Sequence, residues 1–222
     1  MTLIDQGSID YKTELLRKSI HMCSLSISVI YYFITKELAL SILIPLTIFS
    51  VVLDLSRYFS PKIAKVFYSL FGFMLREHEK LESKKNLNGA TYVLLAATFV
   101  VAVFPKVFVI PAIAVLIVGD VAAALIGRKF GVHKFLSKSL EGTLAFFFTG
   151  SIVILFTPKI SGSAEEYLIG FIAVAVGAIA ENISHGWADD NLSIPVSVCL
   201  TMSLLYAILL PDLNLILPNV PI

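Results

Sequence analysis

The chain has 222 residues, of which 57% are apolar and only 15% are charged. Soluble domains average about 45–50% apolar and about 25% charged residues, so this composition excludes an ordinary soluble globule, and its high hydrophobicity excludes a disordered chain. The 17 basic and 16 acidic residues nearly cancel, which excludes the strong positive field of a nucleic-acid-binding protein. The apolar composition therefore predicts an integral membrane protein, and the near-zero net charge predicts no nucleic-acid partner.

Seven apolar stretches are long enough, with their flanks, to cross a bilayer core of about 30 Å as helices. Strands of a membrane barrel would alternate apolar and polar residues, which these stretches do not. We therefore predict an all-α, polytopic membrane helix bundle that forms a single domain over residues 1–222. The predicted spans are Ile20–Thr35, Leu38–Leu53, Gly89–Phe104, Val107–Gly127, Gly142–Thr157, Tyr167–Ile183 and Leu192–Leu210.

Charge placement predicts the topology of these spans. With residues 1–16 in the cytoplasm, 14 of the 17 Lys and Arg residues fall on the cytoplasmic side, and only Lys36, Lys106 and Lys159 fall outside. The histidines also gather at or near the cytoplasmic side. We expect a multi-pass protein with its N-terminus and its active site facing the cytoplasm, and the pattern favours no particular oligomeric state.

The first polar group that could carry chemistry precedes the first span. Arg17 and Lys18 lie three or four residues before His21, so the three side chains share roughly one side of a helix. Arg17 and Lys18 are candidate catalytic residues, although basic residues that flank a span are also ordinary topology signals.

The longest polar region, residues 54–88, is predicted to be a cytoplasmic loop that contains an amphipathic helix over Pro61–Leu75. Proline is well placed at a helix start, and the apolar residues of this segment recur every three or four positions. The pattern suits a helix in the membrane interface or one packed on the bundle. Asn88 closes the region; it is a candidate nucleotide-binding residue or part of a simple turn with Gly89.

Residues 119–142, GDVAAALIGRKFGVHKFLSKSLEG, form the predicted nucleotide and metal loop. Asp120 is an ionisable residue in an apolar segment, where it is costly unless it meets a cation, a metal or water. The glycines and cations that follow it are typical of a loop that binds phosphate groups, although no Walker A motif is present. The candidate catalytic residues here are Asp120, Lys138 and Glu141, and the candidate nucleotide-binding residues are Gly127, Arg128, Lys129, Gly131, His133, Lys134 and Ser139. Ordinary positive-inside charge explains Lys129 or Lys134 equally well when either is taken alone.

A second polar group closes the sixth span and leads into the seventh. It contains Glu181, Asn182, Ser184 and His185, and then Asp189, Asp190 and Asn191. Carboxylates and amides are hard oxygen ligands that suit Mg²⁺. We predict that Asp120, Glu181, Asp189 and Asp190 are metal ligands, and we assign Asn191 mainly to capping the seventh span.

Five motifs, in order from about Arg17 to Pro195, resemble the membrane lipid kinases that include phytol kinase, dolichol kinase and the CTP-dependent diacylglycerol kinases. The motifs are ELLRKSIH, NLNGATYVLLA, GDVAAALIGRKFGVHKF, KSLEGTLAFF and ENISHGWADDNLSIPV. The resemblance implies phosphoryl transfer from CTP, or another nucleoside triphosphate, to the hydroxyl of a polyprenol, a phytol-like alcohol or diacylglycerol. It also implies essential roles for Arg17, Lys18, Asp120 and Gly127.

Two alternatives accompany this interpretation. The family is distantly similar to phosphatidate cytidylyltransferases, which make a CDP-lipid and usually end in His-Gly-Gly and a later Asp-Arg-x-Asp. This chain has His185-Gly186-Trp187 and Asp189-Asp190-Asn191 instead, which favours a kinase. The second alternative is a small membrane transporter, against which the one-sided distribution of polar residues argues.

Overall fold

The computed structural model describes residues 4, 10–72, 75, 87–184 and 189–222. Within these ranges the chain forms nine helices and one two-stranded antiparallel hairpin. The helices are α1 (Tyr11–Cys23), α2 (Leu25–Phe33), α3 (Lys36–Ser56), α4 (Pro61–Phe71), α5 (Gly89–Val103), α6 (Lys106–Phe130), α7 (Leu140–Phe156), α8 (Ala164–Ile183) and α9 (Asp190–Leu209), and the strands are β1 (Lys134–Phe135) and β2 (Lys138–Ser139). The predicted all-α class is confirmed, apart from this short hairpin.

Four of the described helices, α3, α6, α8 and α9, are long and apolar enough to cross a membrane. Two shorter apolar helices, α5 and α7, have 15 and 17 residues. Helices suit this environment because their backbone groups hydrogen-bond within the segment, where hydrocarbon offers no partner. The architecture therefore fits a multi-pass membrane protein, whereas the number of seven spans and their orientation stay predictions.

Helix α6 lies at the centre of the bundle. Every residue of Val107–Ile117 is buried, as expected of a helix that is apolar on all sides. It packs against α7 most extensively, and also against α9, α2 and α1. The contact with α7 is close at Gly119, where a Cβ atom would lie only 2.8 Å from the ring of Phe146. Asp120, the next residue of α6, is also buried.

The first predicted span, Ile20–Thr35, differs from the helices in that region. Helix α1 already begins at Tyr11, because the Asp10 side chain caps it by accepting a first-turn N–H. The helix is interrupted at Ser24, whose N–H donates to the carbonyl of His21, three residues back. Glu14 and Lys18 of α1 are buried, where the sequence indicated a boundary with water.

Helix α4 is the described part of the predicted amphipathic segment Pro61–Leu75. It starts at Pro61, as predicted, and ends at Phe71, while Met74 lies outside the described residues. Phe67 is buried, whereas Val66 and Leu70 on the other face are 60% and 58% exposed. Helix α4 thus has one apolar face on the bundle and another available to a bilayer.

The β1–β2 hairpin lies between α6 and α7, within the predicted nucleotide loop. Lys134 pairs with Ser139 and Phe135 with Lys138, so two residues form the turn. The first of these, Leu136, has a φ of 50°, a left-handed conformation that is uncommon for a residue other than glycine. The hairpin holds Lys138 next to the end of α8.

Candidate active site

Three buried carboxylates meet at one end of the bundle. Asp120 comes from α6, Glu181 from the last turn of α8, and Asp190 from the first residue of α9. One oxygen from each lies within 4.8 Å of the other two, and the three residues are 3%, 4% and 7% exposed. We call these residues the Asp120 cluster. Helix packing alone creates it, since its members lie up to 70 positions apart in sequence.

The chemistry of the Asp120 cluster fits a divalent cation. Three carboxylates this close repel one another, and burial makes their charge more costly still. Hard oxygen donors of this kind are the ligands that Mg²⁺ prefers. Asp120, Glu181 and Asp190 are therefore the described residues best placed to hold such an ion.

Two lysines contact the cluster. Lys18, on α1 and only 1% exposed, donates to Asp120 Oδ2 at 2.5 Å. Lys138, on β2, donates to Glu181 Oε1 at 2.5 Å, and its Nζ lies 3.9 Å from Asp190 Oδ2. The site thus combines acidic oxygens with fixed cations, as the handling of a metal-bound phosphate requires.

The charge of Lys138 is set by its surroundings. Burial by itself would lower its pKa, but the carboxylates of Glu181 and Asp190 outweigh burial and raise the pKa above the ordinary lysine value. Asn182 fixes the hairpin beside it, since its Oδ1 accepts the backbone N–H groups of Ser137 at 2.8 Å and Lys138 at 3.2 Å. Lys138 is consequently a positioned, protonated cation.

Arg17 and Arg128 form a second, adjoining ion-pair group around Glu14. Arg17 donates to Glu14 through Nη2 at 2.6 Å and Nε at 3.2 Å, and Arg128 Nη1 lies 3.5 Å from the same carboxylate. Glu14 is not one of the predicted site residues, although its spacing of three residues from Arg17 on a helix is a signal for such a pair. The structure therefore places Arg17 beside the cluster but bound to Glu14.

The predicted glycine positions serve close packing of the turn after α6. A Cβ atom at Gly131 would collide with the carbonyl oxygen of Gly127 and with Ser139. Ser139 itself is fully buried and caps α7, because its Oγ accepts the N–H of Gly142 at 3.2 Å. These residues shape the loop that carries the basic side chains.

The remaining predicted residues of this loop lie at its exposed edge. His133 Nδ1 lies 2.6 Å from Glu141 Oε1, and the Glu141 carboxylate also accepts the N–H groups of Val132 and His133. Glu141 thus organises the turn and is not one of the three clustered carboxylates. Lys129 and Lys134 are exposed and form no ion pair within the described ranges.

Asn88 directly precedes α5. It caps α5 by accepting the N–H of Thr91 at 3.0 Å, and its own N–H donates to Asp54 Oδ2 at 2.6 Å. Asp54 in turn pairs with the buried Arg57, whose Nε lies 3.1 Å from Asp54 Oδ1. Asn88 also lines a cavity together with Arg17, His21 and Asn191.

The start of α9 corrects one assignment. The capping residue is Asp189, which accepts the N–H of Asn191 at 3.0 Å, whereas Asn191 itself lies inside the helix. Its side chain donates to Asp189 Oδ1 at 2.7 Å and to Asp190 Oδ1 at 3.2 Å. Asp190 therefore joins the cluster and Asp189 serves the helix end; both are aspartates before an apolar run, and sequence does not separate them. His185, Gly186 and Trp187 lie outside the described residues.

Comparisons with known proteins add two relatives. An uncharacterized protein of Rickettsia prowazekii is 28% identical over 197 residues, which cover 88% of this chain and 96% of that protein. The CTP-dependent diacylglycerol kinase 1 of Schizosaccharomyces pombe is 30% identical over 161 residues, which cover 66% of this chain and 72% of the kinase. No family model matches the chain, and no solved structure matches it.

Proposed function

Because the chain belongs to the CTP-dependent lipid kinase family, we propose that it transfers the γ-phosphoryl group of CTP to the hydroxyl of a lipid alcohol at the Asp120 cluster. The observation that carries the proposal is the meeting of Asp120, Glu181 and Asp190 within 4.8 Å, with Lys18 and Lys138 in contact. Phosphoryl transfer depends mainly on positioning and on neutralising charge, and this cluster offers both.

The roles of the residues follow from their places. Mg²⁺ held by the Asp120 cluster would supply charge neutralisation on the triphosphate. Lys138 is placed to stabilise negative charge on the transferred group, and Lys18 holds Asp120 in position. The exposed Lys129 and Lys134 extend from the same loop and attract the polyphosphate chain from the cytoplasm.

The reaction balances as a single transfer. The hydroxyl oxygen of the lipid alcohol bonds to the γ-phosphorus, and the bond between that phosphorus and the β,γ-bridging oxygen breaks. CDP leaves with the electrons of the broken bond, and the hydroxyl proton is released to water. The charge that develops on the departing oxygen is what the cations of the site are positioned to stabilise.

Two forms of labelled CTP, used in parallel, test the proposal. The purified protein is incubated with Mg²⁺, a lipid alcohol (diacylglycerol, phytol, farnesol or dolichol) or phosphatidate, and CTP labelled at either the α- or the γ-phosphate. We expect γ-label in the lipid product of an alcohol and CDP as the second product, with ATP tested in parallel as donor. Label from the α-position in the lipid, with pyrophosphate released, would show a cytidylyltransferase and overturn the proposal, as would no labelled lipid with any alcohol.

A further inference from the structure

A cavity of about 310 Å³ opens beside the Asp120 cluster, between α1, α3, α4, α5 and the start of α9. Its volume is at the lower end of the range for sites that hold small molecules, about 300–1,000 Å³, so it suits part of a lipid. Its wall is apolar along α3, α4 and α5, where Leu53, Phe67, Phe71 and Val93 line it. Ala90 lines the cavity and is also exposed, so the cavity reaches the protein surface.

The polar end of this cavity adjoins the clustered carboxylates. His21 lines the cavity, and its Nε2 lies 3.3 Å from Asp120 Oδ2. Asn191 also lines it and donates to Asp190. A group held at this end therefore lies beside two of the three carboxylates, while its apolar remainder extends along α4 and α5.

His21 has unused hydrogen-bonding capacity at this junction. Its Nε2 is buried and makes no hydrogen bond within the described part of the chain, because its approach to Asp120 lacks hydrogen-bond geometry. A buried polar nitrogen of this kind gains from a partner. A hydroxyl both donates and accepts, so it can bond to the imidazole and present its oxygen towards the cluster.

The charge of the cavity favours an uncharged lipid. Arg17 is the one Lys or Arg among the described residues that line it, and its guanidinium already donates twice to Glu14. A phosphate headgroup carries between one and two negative charges and needs cations to replace its hydration. An alcohol requires only the neutral hydrogen-bonding groups that the cavity presents, such as His21 and Asn191.

We infer that this cavity binds the hydroxyl end of an uncharged lipid alcohol, and that His21 is the residue that contacts the hydroxyl. The inference rests on the proposed function and deepens it, because it states where the acceptor lies and why it is neutral. The exposed apolar residues of α4, Val66 and Leu70, place the surface beside the cavity in contact with the bilayer that supplies the lipid.

Photo-crosslinking tests the cavity without requiring turnover. The purified protein is irradiated with a dioctanoylglycerol that carries a diazirine in one acyl chain, and labelled peptides are mapped by mass spectrometry. We expect labelling of α4 and α5 that is displaced by unlabelled dioctanoylglycerol and not by dioctanoylphosphatidate or phosphatidylcholine. Labelling elsewhere, or equal displacement by either phospholipid, would overturn the inference.

Kinetics of two matched alanine variants give the second test. Ala90→Phe adds a ring at the cavity wall, whereas Ala102→Phe makes the same change at an exposed position of α5 outside the cavity. We expect Ala90→Phe to raise the KM for dioctanoylglycerol at least about tenfold and to leave the KM for CTP within about twofold. Indistinguishable lipid KM values for the two variants would overturn the cavity assignment while leaving the kinase proposal intact. Labelling of the cavity without phosphorylation of any alcohol would instead overturn the kinase proposal and leave the cavity assignment intact.

The contact of His21 with the hydroxyl has its own pair of variants. Gln keeps a hydrogen-bonding group near the position of Nε2, whereas Phe keeps the ring and removes the nitrogen. We expect His21→Phe to lower kcat/KM for dioctanoylglycerol at least about tenfold more than His21→Gln, with the KM for CTP unchanged in both. Equal losses in the two variants would overturn the role of His21.

Discussion

Two carboxylates on α8 show how differently a buried charge can be accommodated. Glu166 and Glu181 lie about 22 Å apart along the helix at 1.5 Å per residue, and both are buried. Glu166 accepts the N–H groups of Ile160, Ser161 and Gly162 at 2.6–3.0 Å, and also the hydroxyls of Ser161 and Tyr206. Each of these described partners donates a hydrogen bond, so the protein itself stabilises the Glu166 charge.

Glu181 has the opposite surroundings. Its neighbours include two further carboxylates, Asp120 and Asp190, and its cationic contact is the side chain of Lys138. Fixed backbone donors stabilise a fold, whereas like charges held together are unfavourable unless a ligand relieves them. We therefore expect the Glu166 end of α8 to serve the fold, and we propose the Glu181 end as the place where a ligand acts.

Asp120→Asn is expected to have the largest effect on activity, because it alters the carboxylate cluster at the Glu181 end of α8. The substitution removes one charge from the cluster at nearly constant size, and losing one preorganised electrostatic group typically costs about 10²–10³ in rate. We expect CTP-dependent lipid phosphorylation to fall by at least about 100-fold, measured as kcat/KM with detergent-purified protein. Asp212→Asn, the same change at an exposed residue near the C-terminus, serves as the control and should retain normal activity. A rate for Asp120→Asn within a few-fold of the unaltered protein would contradict the assigned role.

Glu166→Gln is expected to affect stability and not chemistry. The amide replaces an oxygen that accepts hydrogen bonds with a donor, and it faces N–H groups that lose their partner. We expect a loss of about 3 kcal/mol of unfolding free energy. That loss corresponds to a fall of roughly 6–12 °C in the thermal midpoint for a chain of this size.

The neighbouring Glu165→Gln provides the matched control for stability. Glu165 is exposed, so its variant should melt within about 1 °C of the unaltered protein. Below its melting temperature, Glu166→Gln should phosphorylate lipid at the normal rate. A Glu166→Gln protein that is stable but inactive would remove the distinction between the two ends of α8.

Whether the sequence predicts a feature of this molecule depends on how far apart in the chain the interacting residues lie. The apolar runs predict helices because this signal comes from neighbouring residues in the chain. The position of Asp120 inside such a run likewise marks it as a costly charge. The meeting of Asp120 with Glu181 and Asp190 depends on which helices pack together, and periodicity along one chain carries no such information. For the same reason sequence leaves Asp189 and Asp190 equivalent.

Basic residues show a second limit of sequence reasoning. Lys18 and Arg57 fit the positive-inside pattern, yet both are buried in ion pairs with Asp120 and Asp54. Asp54 lies in the last turn of α3, and Arg57 directly follows that helix three residues later. Glu14 and Arg17 have the same spacing on α1, so this spacing is a usable local signal for pairing. Lys18 has no such signal, because its partner lies 102 residues away.

The smallest expected effect is also the one that bears most directly on Mg²⁺. A ligand that binds only the folded protein stabilises it by mass action, and at ten times its dissociation constant this amounts to about 1.4 kcal/mol. Adding Mg²⁺ to EDTA-treated protein should therefore raise the thermal midpoint by roughly 3–6 °C. Glu166→Gln should start from a lower midpoint and show the same rise, whereas Asp120→Asn should show none. A cation bound in the Asp120 cluster would relieve the repulsion among its carboxylates, so its binding should depend on Asp120. A similar rise in all three proteins would therefore place the Mg²⁺ outside the cluster.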